Sequence, residues 1–420
     1  MALGLREDVS LSSRGPKLAI FTIINRQHHD YNGVVRQTKT QTKKKMKLVN
    51  KILVLSSFIF VCSCSNEDNL VPEVDSNGVQ ASEFPIQLGG SSVVTTRAAI
   101  TGNGSEGIPG IAVWCLAKDV MQENQAPQNI KWFSTAPEHQ TCCIMKNVKS
   151  NIVGGTVKWD NINDRYFYPV TQFYRYEFYA NYPYTTNLAY NVNSVHAKYV
   201  IDGTQDLLWG RATSNEEYAW SAKYFRVNGG QTISNRPNLK MEHLLTRLVF
   251  NVMPGAQVEI PGAQESEMDY TAASSMIVDT LQVCNAYTDL SVVIADYTRL
   301  DMGTGERLQI ASTQTDTLFL KSADGAIVAP IQVPALPSLK QQWGESIMLF
   351  PSDRYVLRMV LHDNTGRKFV SEQPLVVSNS GGFERGKSYN INITVHGPSE
   401  VSLGAELTPW EVVDGPGLNL

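Results

Sequence analysis

From Phe84 onward the chain keeps returning to a period of two. Phe84-Pro-Ile-Gln-Leu88 sets Phe84, Ile86 and Leu88 on one face, and Tyr176-Glu-Phe-Tyr-Ala-Asn-Tyr182 does the same with Tyr176, Phe178, Ala180 and Tyr182. Further on, Ile277, Asp279, Leu281 and Val283 alternate with Val278, Thr280 and Gln282, and Gly386-Lys-Ser-Tyr-Asn-Ile-Asn-Ile-Thr-Val395 alternates polar with apolar. Successive side chains of a strand point to opposite faces, so this pattern marks strands with one buried face. Turn-forming residues punctuate it. Tyr355–His362 and Arg367–Val370 flank Asp363-Asn-Thr-Gly366, which predicts a hairpin. No long helical period and no fixed repeat interrupts the strands. An all-β fold of β-sandwiches is expected, not a propeller or solenoid.

The same residues exclude several functions. A net charge of −4 leaves no basic footprint for nucleic acid. Gly102-Asn-Gly-Ser-Glu-Gly107 fits G-x-G-x-x-G by letter, but Ile108-Pro109-Gly110 follows where a helix would have to begin, so it reads as a loop. Asp160-Asn-Ile-Asn-Asp164 fails as a calcium loop because Ile162 takes its third position. Cys115, Cys142, Cys143 and Cys284 form no C-x-x-C, and outside the cytoplasm they are open to disulfides or free thiols alike. The histidines show no metal spacing, and neither a nucleophile elbow nor a P-loop occurs. No catalytic residue, metal or cofactor is expected, and the chain reads as a non-enzyme. His243 is expected to be a hydrogen-bonded structural residue, between two strands joined at Leu244–Thr246. Trp114, Trp132, Trp159 and Trp220 would line an exposed platform if the chain were instead a monomeric glycan-binding lipoprotein. Aromatic residues at strand period favour the core.

The N-terminal region carries an address. Lys47 and Lys51 lead into an apolar run from Ile52 to Val61, the layout of a secretory signal. That run is too short to cross ~30 Å of hydrocarbon as a helix. Val61-Cys62-Ser63-Cys64 resembles the lipobox of bacterial lipoproteins, in which the cysteine after a small residue receives the acyl chains, palmitate among them. Cys64 fits best, and Cys62 is the alternative. Glu67-Asp68 resembles the acidic surface-export signal of lipoproteins in some Gram-negative anaerobes. Residues 1–45 hold no run fit for export, so translation is expected to start at Met46.

The order of several segments resembles the fimbrillin family (major fimbrial subunit and Mfa-like proteins) of type V pili. They are the lipobox at Cys64, Thr95-Thr96-Arg97-Ala98, Tyr176–Pro183, Asp206-Leu-Leu-Trp209, Glu242–Phe250, Gly386–Val395 and Pro409-Trp410. The resemblance implies two transthyretin-like β-sandwich domains in tandem. The expected division is a signal peptide at 46–63, a tether with a removable first strand at 64–97, an N-terminal sandwich at 98–237 and a C-terminal one at 238–420. It also implies a pilus subunit precursor at the outer membrane surface. An arginine-specific protease would cut between Arg97 and Ala98, and the strand bearing Phe84, Ile86 and Leu88 would leave. A donor strand from another subunit, here Val401, Leu403, Ala405 and Leu407, would take its place. The partners implied are other pilus subunits, the membrane through the lipid, and host or bacterial surface ligands. An anchor or tip subunit is the alternative within the family.

Overall fold

A computed structural model describes residues 84–92, 107–120, 130–169, 174–377, 382–398 and 400–408. The signal run 46–63, Cys64, Thr95–Ala98, residues 102–106 of the glycine loop and Pro409-Trp410 lie outside the described residues.

In chain order the strands begin with β1 Gly89–Ser92, β2 Ile108–Val120, β3 Cys143–Val153, β4 Thr156–Trp159, β5 Tyr174–Tyr182, β6 Leu188–Asn191, β7 Ser194–Val200, β8 Leu208–Ala212 and β9 Asn238–His243. They continue with β10 Thr246–Pro254, β11 Ile277–Tyr287, β12 Asp289–Asp296, β13 Leu308–Ile310, β14 Thr315–Phe319, β15 Ile331–Gln332 and β16 Gln341–Gln342. The last are β17 Ile347–Leu349, β18 Val356–His362, β19 Lys368–Pro374, β20 Ser388–Gly397 and β21 Glu400–Thr408. The chain is all-β, as its period predicts.

Two hydrophobic cores organise these strands. Around the first, β1-β4-β3-β2-β5-β8-β9 close into a barrel, sealed by the parallel pair β1–β9. A four-stranded sheet, β13-β12-β7-β6, shares that core, so Leu290 and Ile294 pack in one cluster with Leu88, Trp114, Phe178 and Leu239. This explains β2, which is buried without a break from Ile111 to Ala117. A strand covered on both faces has no reason to alternate. Around the second core lie β16-β10-β20-β21, with β17 also on β10, and β14-β11-β18-β19, with β15 also on β11. Leu248, Phe250 and Ile391 of the first sheet meet Val283 and Leu357 of the second.

The division differs from the one drawn at residue 237. β9 pairs with β8 and β1 inside the barrel, and Leu244 and Leu245 still belong to the first core, whereas Leu248 belongs to the second. The chain also comes back. β11 lies in the second body, but β12 and β13, a few residues on, return to pair beside β7. The expected short turn at Leu244–Thr246 therefore links two bodies and does not fold β9 onto β10.

Candidate assembly interface

The segment Phe84–Ser92 is the piece that closes the barrel. Pro85 has no N–H to give, and regular pairing starts only at Gly89, after an isolated bridge between Pro85 and Phe167. On one side Ile86 N donates to Tyr166 O at 2.7 Å, Leu88 O accepts from Val157 N at 2.9 Å, and Gly90 N donates to Gly155 O at 3.1 Å. On the other side Gly89 N donates to Pro237 O at 2.8 Å, and the parallel register runs from Gly89–Asn238 to Ser92–Met241. The sequence suggested an edge position because of Pro85; Gly89–Ser92 instead lies between β4 and β9. Ile86 and Leu88 are buried, and Phe84 is half-buried under the Arg226 guanidinium, 5.3 Å from its ring centre. Burying two such aliphatic side chains contributes roughly 1.5–3 kcal/mol each.

Two glycines make this fit possible. A Cβ at Gly89 would stand 2.8 Å from Asn238 Oδ1 and 3.2 Å from Arg236 Nε, and one at Gly90 would stand 2.8 Å from Ile152 Cδ1. Neither position has room for a larger side chain without a shift of its neighbours.

At the other end of the chain, β21 runs antiparallel to β20 from Ser388–Thr408 to Val395–Val401 and forms the edge of its sheet. Val401 is buried, Leu403 and Ala405 are half-buried against the second core, and Leu407 is 55% exposed. The period of two is visible in space, and it is incompletely covered toward Leu407. Arg97 and Ala98 lie outside the described residues, between β1 and β2 in sequence.

Other candidate sites are occupied by structure. Trp114 and Trp132 are buried, with their indole N–H groups donating to Asn181 Oδ1 at 3.0 Å and Ala117 O at 2.7 Å. Trp220 stacks on Phe225 and Trp159 is half-buried against Tyr166. These rings form no exposed platform, which overturns the glycan-platform alternative as drawn on them. His243 is buried and bonded through Nδ1 to Asp206 at 2.6 Å, a structural pair as the sequence suggested.

A cleft of about 500 Å³ lies beside that pair, lined in part by Tyr182, Gly203, Asp206, Phe319, Lys321 and Ile347. Asp202, next in sequence to the lining residue Gly203, is bonded to Lys321 Nζ at 2.6 Å. Burial would raise the Asp202 carboxyl, but the Lys321 bond and the Thr204 donors outweigh it and hold the carboxyl at about 2. A hydrolytic general acid needs the opposite, a carboxyl held up toward neutrality. Cys115, Cys142, Cys143 and Cys284 are free. Burial pushes the Cys143 thiol up to about 12, only partly offset by Lys146, so it is a poor nucleophile.

A family model described as fimbrillin-like matches residues 96–410, well over half of the chain. No curated protein matches it in sequence. Among solved structures, a fimbrial protein from Bacteroides vulgatus is similar at 11% identity and a TM-score of 0.46, over 77% of this chain and 99% of that one. The tip fimbrial protein Mfa3 from Porphyromonas gingivalis is similar at 10% identity and a TM-score of 0.35, over 77% and 99%. The fimbrial anchor protein Mfa2 from the same organism gives 9%, a TM-score of 0.32, and 77% and 98%.

Proposed function

The chain belongs to the fimbrillin-like family, a family of structural proteins and not of enzymes, and on that premise we propose that it is a pilus subunit precursor. It is exported as a lipoprotein through Cys64, cut after Arg97 by an arginine-specific protease, and assembled by donor-strand exchange at the outer membrane surface. Its partners are other pilus subunits, the membrane through the lipid until processing, and the surfaces to which the fimbrium adheres.

The observation that carries this reading is the place of residues 84–92. They seal the barrel, and Arg97 follows them before β2 begins. One cut there separates the sealing strand from every later residue. Its departure would leave β4 and β9 with unpaired main-chain groups and would empty the places of Ile86 and Leu88. Such a slot binds an extended strand by backbone pairing plus alternate side-chain pockets.

The test is N-terminal sequencing and gel mass of the protein recovered from the cell surface. A start at Ala98 together with a heat-sensitive ladder of multimers is expected. A lipid-blocked start at Cys64 with monomer alone would overturn strand exchange and make the chain an anchor or a binding lipoprotein. Arg97→Ala is expected to hold the first strand in place and abolish the ladder.

A further inference from the structure

The cleft beside the His243–Asp206 pair takes no part in strand exchange, since none of its lining residues lies in 84–92 or 401–407. Both cores supply its wall. Tyr182, at the end of β5, packs against the first core, and Ile347, at the start of β17, belongs to the second. A volume of about 500 Å³ suits a small molecule, for which sites run from roughly 300 to 1,000 Å³. The wall is set by the backbone at Gly203, whose φ of 89° is left-handed and whose carbonyl accepts from Met348 N at 2.8 Å. A Cβ there would stand 3.0 Å from Ile347 Cγ2.

The polar groups of this wall are left with bonds to make. Asp206 is fully buried, and while Oδ2 is held by His243, Oδ1 has no hydrogen-bond partner among the described residues. Ser346 is 5% exposed, and its Oγ is likewise unpartnered among them. Buried polar atoms are otherwise almost always hydrogen-bonded. Glu345, next to Ser346, is half-buried, and its carboxylate forms no ion pair among the described residues. Asp324 caps its own turn, accepting from Ser322 Oγ at 2.6 Å and Ala326 N at 3.1 Å. Lys321 is the only cation in the described lining, and its Nζ is already bonded to Asp202. The cleft therefore carries more negative charge than it answers.

We propose that this cleft binds an organic cation, an alkylammonium group of the kind that ends a lysine side chain or a small diamine. An ammonium is all donor, with three N–H groups and no acceptor, and the uncommitted groups of the cleft are acceptors. Asp206 Oδ1 and Ser346 Oγ take its hydrogen bonds in the interior, and half-buried Glu345 adds its charge toward the mouth. The methylene stem lies against Tyr182, Phe319 and Ile347, all in the lining, and aromatic rings also accept a cation on their faces. Other ligand classes fit less well. An anion would meet two uncommitted carboxylates. A neutral sugar would bond to Ser346 but leave the charges of Asp206 and Glu345 unanswered. Among the described residues no group of three acidic, histidine or cysteine side chains could hold a metal ion.

The test is calorimetric titration of the protein recovered from the cell surface with cadaverine, with a lysine-containing tripeptide blocked at both ends, and with lactose. An amine probe is expected to bind, and Glu345→Gln and Ser346→Ala are each expected to weaken it about tenfold or more, the worth of a hydrogen bond to a charged group. Glu345→Gln leaves the fold intact, because that carboxylate engages nothing within the chain. Glu217→Gln, an exposed position outside the lining, is expected to leave the affinity unchanged. Binding of cadaverine without the tripeptide would support the proposal with a free amine as the source. Binding of the tripeptide without cadaverine would support it with a lysine of a partner protein. Lactose binding with neither amine would overturn the cationic class. Amine binding that both cleft variants leave unchanged, or no binding of any probe at millimolar concentration, would overturn the site itself.

Discussion

Glu177 sits between Tyr176 and Phe178 on the alternate face of β5, where period two alone would place a solvated charge. It is 1% exposed, enclosed by Lys118, Tyr179, Arg211 and Thr213. Its carboxylate accepts from Arg211 Nη2 at 2.6 Å, Thr213 Oγ1 at 2.6 Å and the Tyr179 hydroxyl at 2.7 Å, and Lys118 Nζ stands 3.1 Å away. Burial alone would raise the carboxyl, yet Arg211 and the two hydroxyls hold it below its ordinary value. A carboxyl depressed in the fold contributes stability above the unfolded value of about 4.3 and loses it as pH falls through the folded value. Urea unfolding of Glu177→Ala at pH 7 is expected to show a loss of roughly 1–3 kcal/mol, since the buried Tyr179 hydroxyl and the half-buried Arg211 and Lys118 lose their acceptor. The deficit relative to wild type should shrink as the pH is lowered from 5 toward the folded value. A deficit that did not change with pH would show that the loss is one of packing and not of charge.

At the scale of elements, β1 is short, but Ile86 and Leu88 beside it fill the first core. Leu88→Ala is expected to cost about 2–5 kcal/mol in the unprocessed chain, read by thermal or denaturant unfolding. The same change should be silent in protein that starts at Ala98. How much of the fold was legible follows from how strands are covered. β18, β19 and β20 keep one face to the core, and their alternation places them within a few residues of the sequence reading. β12 is buried continuously from Val292 to Ala295, and β6 is only Leu188–Asn191. Neither advertises a period, so their sheet leaves no mark in the sequence. The exact boundary is hard to read for a related reason: Leu239–Val252 is one apolar-rich stretch whose two halves serve different cores. In the candidate site, both terminal strands were legible by their alternation. The parallel pairing of β1 with β9 was not, because it joins residues nearly 150 positions apart and leaves no local mark.

For the whole molecule, the return of residues 289–310 means that the first core is not encoded by the first half of the chain alone. A fragment of residues 84–245 lacks Leu290, Val292, Ile294 and Leu308, all in that core. It is expected to bind a hydrophobic dye and to unfold without a sharp transition, and a cooperative transition in the fragment would refute this. The longer fragment 84–310 should regain the protection of Trp114 and Trp209 from solvent, since Trp209 Nε1 donates to Ile294 O at 2.9 Å. The same return has a mechanical side. The backbone passes between the two bodies at Leu245–Thr246, again between Tyr287 and Asp289, and again between Ile310 and Thr315. A pull on one body is shared by three covalent strands in parallel, and their separate attachment points resist bending. Two beads on one string would swing; two beads tied three times make a strut.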